Sequence, residues 1–167
     1  MSEENQAAEN TQAATQNLAI QKIYTKDISF ESPNSPFGFQ DEWKPEVSVD
    51  INTDGQTLEN NNFEVILKVT ITAKNNDKTA FLVEVQQAGV FQLTGFDDEQ
   101  QAFILGSYCP GTLFPYARQV ISNLVTDGGY PPVILAPVNF EALYQEHLKQ
   151  KQDGQQESSK PDASQTH

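Results

Sequence analysis

The sequence predicts an α+β protein. The expected architecture is a four-stranded antiparallel sheet with a crossover connection, followed by C-terminal helices packing on the sheet and at subunit interfaces. Three observations predict it. Apolar and polar residues alternate in four runs before residue 94. A long stretch rich in proline and aromatic residues separates the first run from the second, whereas short turns separate the others. Helical spacing of apolar residues takes over after residue 97.

The first strand spans 17–31. At period two, Leu18, Ile20, Tyr24, Ile28 and Phe30 fall on one side, interrupted by Lys22 and Lys26. Ile23, Thr25, Asp27, Ser29 and Glu31 fall on the other, so the spacing buries the even side and shows Asp27 and Glu31 to water from one face. Pro33, Pro36, Phe37, Phe39, Trp43 and Pro45 follow, in a segment that cannot continue a sheet. A short second strand near 46–53 alternates Val47, Val49 and Ile51 with Glu46, Ser48 and Asp50. The third, near 62–75, sets Phe63, Val65, Leu67, Val69 and Ile71 against Glu64, Lys68, Thr70, Thr72 and Lys74, with Ile66 as an exception. Asn75-Asn76-Asp77 supplies the turn into a fourth strand, 79–93, where Phe81, Val83 and Val85 oppose Leu82, Glu84 and Gln86. Strands two to four are expected as a meander. The first reaches it only by crossing over.

Asp97, Asp98 and Glu99 place negative charge where a helix start favours it. Pro110-Gly111 is expected to break that helix, with Pro115 in the first turn of the next and Gly128-Gly129 ending it. Tyr130-Pro131-Pro132 and Ala136-Pro137 mark an extended connection. A last helix near 139–150 has Asn139 as its N-cap, and Phe140, Leu143, Tyr144, His147 and Leu148 recur at helical spacing. On a wheel, the apolar residues of 112–127 spread over roughly 180°, against the ~100° stripe of a helix lying on one core. Residues 102–108 are similarly broad. That surplus of apolar surface predicts subunits packing helix against helix.

Composition narrows the function. The net charge is −13, with Arg118 as the single arginine. Three glutamates in 1–16 and a net of two negative charges in 152–167 leave −8 on the body. Such a body is repelled by phosphate backbones and anionic lipid, which argues against nucleic acid and favours a basic protein partner. Cys109 is the single cysteine, which excludes an intramolecular disulfide and a multi-cysteine metal site and fits a reducing cytoplasm. The polar start lacks a signal peptide, and no window approaches the ~20 apolar residues of a membrane span. Residues 1–16 and 152–167 have little to bury and are expected to be disordered tails around a domain at 17–151.

The run IYTKDISFESPN at 23–34 is followed by FQ-x-x-W-x-PE, then by TAFLVEVQQAGVF (79–91), YCPGTLFPYAR (108–118) and LAPVNFEALY (135–144). Together, in this order, they resemble SecB, the tetrameric chaperone family that delivers preproteins to the bacterial export motor SecA. The resemblance covers roughly Leu18 to Lys149. It implies a homotetramer built as a dimer of dimers, a SecA-docking role for Asp27, Glu31, Leu82 and Glu84, and grooves holding unfolded polypeptide. From the residues alone, those four share the outer parity of strands one and four, as a solvated sheet face also would. Phe37, Phe39 and Trp43 either cap the core or line a groove for extended apolar chain, where rigid aromatics give contact area without demanding a sequence. Trp43 is the first choice.

No phosphate loop, metal-ligand spacing or ATP site is found, so the expectation is a non-enzymatic, cofactor-free chaperone that binds preproteins and SecA in the cytoplasm. Two alternatives stay open: a SecB-like chaperone dedicated to an antitoxin, and an enzyme dependent on Cys109, with His147 as a partner. Any SecA contact through the weakly acidic C-terminal tail is in doubt.

Overall fold

The structure is a computed structural model that describes residues 15–157. Four strands, β1 (Asn17–Glu31), β2 (Glu46–Thr57), β3 (Asn62–Asn75) and β4 (Lys78–Thr94), form one sheet in the order β1-β4-β3-β2. Every adjacent pair is antiparallel. Asn76 and Asp77, at φ of 52° and 60°, make the tight turn from β3 to β4, a left-handed conformation that short polar side chains tolerate. The chain therefore meanders from β2 to β4, and the 32–45 segment carries it from one sheet edge to the other.

The crossover is tied down at both levels of its path. The Asn75 side chain, 5% exposed, accepts the Lys44 N–H at 2.9 Å and donates to the Glu42 carbonyl at 3.0 Å. Phe81 anchors an aromatic cluster, with Tyr130 at 5.0 Å, Phe30 at 6.0 Å and Trp43 at 6.4 Å between ring centroids. The Tyr130 hydroxyl donates to the Ala80 carbonyl at 2.9 Å and lies 2.6 Å from Ser32 Oγ. Crossover, sheet and the segment after the long helix are thus pinned together at one end of the sheet.

β1 departs from simple alternation. Register shifts at Ile20/Lys22 and Thr25/Asp27 each add a residue, so side-chain parity flips and then flips back. Ile23 consequently turns inward and packs on the core, while Tyr24 turns to the outer face, the reverse of the periodic expectation. Asp27 and Glu31 lie beyond the second bulge and keep their outer parity. β2 runs to Thr57, four residues past its expected end, because Asp54 to Thr57 pair with Ile66 to Phe63 despite their turn-like composition.

The helices also differ from expectation. α1 (Asp98–Phe103), a π-helical turn (Ile104–Tyr108) and α2 (Cys109–Asp127) follow one another without a break. Asp97 caps the start: its carboxylate accepts the Gln100 N–H at 2.8 Å, and the Gln100 side chain accepts the Asp97 N–H at 3.3 Å. Pro110-Gly111 does not break the helix. The wide turn, in which the Cys109 N–H bonds the Ile104 carbonyl, absorbs the proline-rich stretch. Pro110 and Pro115 each stand four residues after a glycine, Gly106 and Gly111, so each missing N–H falls opposite a glycine carbonyl. α3 (Phe140–Glu157) is capped by Asn139, whose side chain accepts the Ala142 N–H at 3.0 Å. It continues to Glu157, past the helix end expected near 150; residues 158–167 and most of 1–16 lie outside the described residues.

The core lies between α2 and the two central strands. Leu67, Val69, Ile71, Phe81, Val83, Val85, Leu113, Ala117 and Ile121 are all fully buried. Burying the leucine, valine, isoleucine and phenylalanine side chains among them contributes roughly 1.5–3 kcal/mol each.

On the opposite face, Glu64 is 4% exposed and accepts from Tyr24 Oη, Lys26 Nζ (2.7 Å) and Gln56 Nε2 (2.6 Å). This carboxylate ties β3 to its neighbour β2 and, across β4, to β1. The Lys26 bond, then that of Tyr24, holds the Glu64 carboxyl below its ordinary 4.5, while burial and Glu64 push the Tyr24 hydroxyl up to about 12. A depressed carboxyl stabilises the fold fully above its ordinary value and loses that contribution as pH falls through the lowered one. Glu64→Ala leaves three donors without their acceptor and is expected to cost about 1–3 kcal/mol in urea unfolding at neutral pH. Glu64→Gln is expected to flatten the fall in stability as pH drops below the ordinary carboxyl value, measured by unfolding midpoints. An unchanged pH profile would contradict the clamp.

Candidate functional site

α2 packs chiefly on β4 and β3, touches β1 near Phe30 at its C-terminal end, and leaves much of β2 uncovered. On the inner face of β2, Val47 and Val49 remain 43% and 46% exposed although the pattern turns them inward. Opposite them runs the extended segment from Tyr130 to Asn139, in which Ile134 is 88% exposed and Leu135 is buried. A cleft of about 370 Å³ lies between Trp43, Val47, Pro132 and Ile134. It runs into a second of about 450 Å³, bordered by Phe114, Val138 and Leu143, with Val49 and Leu135 shared. Ile51 and Leu143 lead into a third of about 530 Å³ against α3, which passes through Thr53 and Gly106 to a fourth between β2 and α1. The clefts form one trough along the 12 residues of β2, about 40 Å at the rise of a strand.

Its walls suit an extended, apolar polypeptide. The Trp43 end is nearly devoid of charge, whereas the far end carries Asp54 and Asp98. Trp43 is half-buried, packed on Tyr130 at 5.3 Å, so its ring is fixed before anything enters. Phe39 packs on Tyr130 at 5.1 Å and stays 50% exposed, and Phe37 projects 73% exposed from the 3-10 turn Phe37–Gln40. Neither borders the trough. Sequence reasoning had put weight on these three aromatics and missed Ile134, Leu135, Val138 and Leu143. The readable signal was Pro131-Pro132 with Pro137, which forbids secondary structure over an apolar stretch and leaves its side chains without a helix or sheet to bury them.

The outer face of β1 and β4 brings together Asp27, Glu31, Leu82 and Glu84. Glu31 stands opposite Leu82, Ser29 opposite Glu84, and Asp27 opposite Gln86. Asp27 and Glu31 are therefore about 13 Å apart along β1, with Glu84 one strand away at mid-height. Glu84 is paired with Lys68 at 3.1 Å and accepts from Thr70 Oγ1 at 3.4 Å. Cys109 is fully buried at the start of α2, and burial pushes its thiol up to about 12.

The sheet thus has a trough, apolar at its Trp43 end, along one face and carboxylates on the other. The family model of the preprotein translocase subunit SecB matches residues 11–151. The protein-export protein SecB of Marinobacter nauticus is 49% identical over 153 residues, covering 92% of this chain and 93% of the relative. That of Nitrosococcus oceani is 55% identical over 137 residues, covering 81% and 84%. A SecB-like chaperone of Mycobacterium tuberculosis, solved with a ChAD peptide from an antitoxin, shares the fold at a TM-score of 0.60 and 15% identity, covering 72% of this chain and 90% of that one. The chain belongs to the SecB family of protein-export chaperones.

The single tryptophan makes the trough directly testable. An unfolded apolar client seated beside Trp43 is expected to shift its emission to shorter wavelength, and Val49→Asp with Ile134→Asp is expected to abolish that shift. Emission unaffected by saturating client would rule out occupation of this end.

Proposed function

We propose that this chain is an ATP-independent holdase that captures unfolded preproteins and delivers them to SecA. The observation that carries the reading is the trough: a run of clefts open to solvent along β2, apolar from Trp43 to Leu143 and more polar towards Asp54 and Asp98. Burial of client side chains there drives capture at ~25 cal/mol per Å², so no nucleotide is required. Trp43 is the fixed anchor at one end, with Phe37 and Phe39 available to the chain as it leaves. Asp27, Glu31, Leu82 and Glu84 form the SecA-docking patch, carboxylates around an apolar contact suiting a basic protein surface.

Assembly as a tetramer of two dimers, in the cytoplasm, completes the reading. Its support is apolar surface left over by the protomer: Ile20 (45%) and Ile28 (48%) on the inner face of edge strand β1, and Tyr108 (50%) and Tyr116 (48%) on the long helix. The helix itself buries more of its apolar arc than the wheel suggested, since Leu113, Phe114, Ala117, Ile121 and Val125 are all covered within the protomer. An export role is favoured over an antitoxin partner because relatives near half identity are export proteins. A Cys109 enzyme is disfavoured by the buried, protonated thiol.

Charge reversal at Asp27 and Glu31 together is expected to abolish SecA binding while light scattering still reports a tetramer; retained binding would refute the patch. Trp43→Ala is expected to weaken binding of an unfolded client about tenfold, read by titration calorimetry.

A further inference from the structure

We propose that Lys68 is an internal competitor on the docking face: it holds Glu84 in an intramolecular ion pair that a basic partner must displace, and so lowers the affinity of the face from within. The inference rests on the SecA-docking reading above and concerns the regulation of that same surface.

The geometry places the lysine on the patch. Lys68 pairs with Gln86 of β4 across the sheet, and Asp27 of β1 pairs with that same Gln86 from the other side. The three side chains share the outer face, so Lys68 stands one strand beyond the carboxylates it opposes. Its Nζ lies 3.1 Å from Glu84 Oε1, and Thr70 Oγ1 donates to Oε2 at 3.4 Å. Glu84 is thus occupied at both oxygens, one contact being a single ammonium and the other a long hydroxyl bond. Among the described residues, no ion pair reaches Asp27 or Glu31. Lys26, the other lysine of this neighbourhood, is committed to Glu64 at 2.7 Å. Of the three carboxylates, Glu84 alone must exchange an internal partner for an external one.

The exchange is feasible because the pair is open to water. Lys68 and Glu84 side chains are 42% and 29% exposed, and ion pairs so placed are weak and screened by salt. An incoming guanidinium reaches both carboxylate oxygens at once, which a single ammonium cannot. The displaced lysine then swings into solvent on its flexible stem. Docking therefore carries a built-in opposing charge, which favours release of the partner once transfer is done.

The test measures SecA binding to the full-length tetramer at low and high salt, for wild type, Lys68→Gln, Glu84→Gln, the double variant, and Asp27→Asn with Glu31→Gln. Lys68→Gln is expected to tighten binding roughly three- to fivefold at low salt, with the gain fading near half-molar salt. The gain is expected to vanish in the Glu84→Gln background. Should Lys68→Gln bind like wild type while Glu84→Gln binds more weakly, the competitor role is overturned and the docking face stands. A gain of equal size with and without Glu84 overturns it as well, since Lys68 would then act through the general field of the face. If neither Glu84→Gln nor the Asp27/Glu31 variant alters binding, the docking face itself falls and takes this inference with it.

Discussion

One helix cannot cover four strands. A helix with its side chains is about 10 Å across, and neighbouring strands are about 4.8 Å apart, so α2 shields two strands fully and meets β1 only in part. The consequence is visible in burial: inner-face residues of β3 and β4 are almost fully enclosed, whereas Val47 and Val49 on β2 and Ile20 and Ile28 on β1 stay close to half exposed. Apolar side chains selected by strand alternation are therefore left uncovered at both edges of the sheet. At the β2 edge, the proline-held segment after α2 stands off and leaves a trough. At the β1 edge, no other part of the described chain completes the cover. Both features follow from the same shortage of helix.

The two faces of the sheet solve opposite problems. The inner face carries the core and, at its margins, the surplus of apolar surface. Among the described residues no layer lies over the outer face, and its polar groups satisfy one another in the plane of the sheet. Glu64 is the centre of that arrangement, holding Tyr24, Lys26 and Gln56 from strands on either side. Tyr24 stands opposite Ala88 of β4 while Glu64 stands opposite Val90, so the bond between them runs diagonally across β4. Lys68 and Glu84 repeat the theme more weakly, nearer to water. A buried, three-donor carboxylate is costly to disturb; a solvated pair exchanges readily. Stability and availability are thus separated along the same face.

Much of this was legible beforehand. The meander, the crossover, the limits of β3 and β4 within a residue, the helix start at Asp97 to Glu99 and the cap at Asn139 all follow from local chemistry. So does the shared face of Asp27, Glu31, Leu82 and Glu84. Tyr24 and Ile23 were misplaced because two bulges invert the phase of β1 between them, and the interruptions at Lys22 and Lys26 were the only mark they left in the alternation. Pro110-Gly111 reads as a break by propensity, yet a π-helical turn next to it lets the helix continue and bury Leu113 and Ile121 on the sheet. Packing outweighed the local cost there. The trough was read through its aromatics, which lie at one end, and not through the extended segment that forms its wall.

Alternation, turn residues and charge distribution are properties of neighbours in the chain, and they sufficed to determine the element order, the acidic outer parity and an excess of apolar surface over what one protomer can bury. Where that excess surfaces was decided only in three dimensions. It depends on which strands α2 lies across, how far the 130–139 segment stands from β2, and which way two bulges turn β1. Those distances arise from contacts between residues remote in sequence, and no local pattern encodes them.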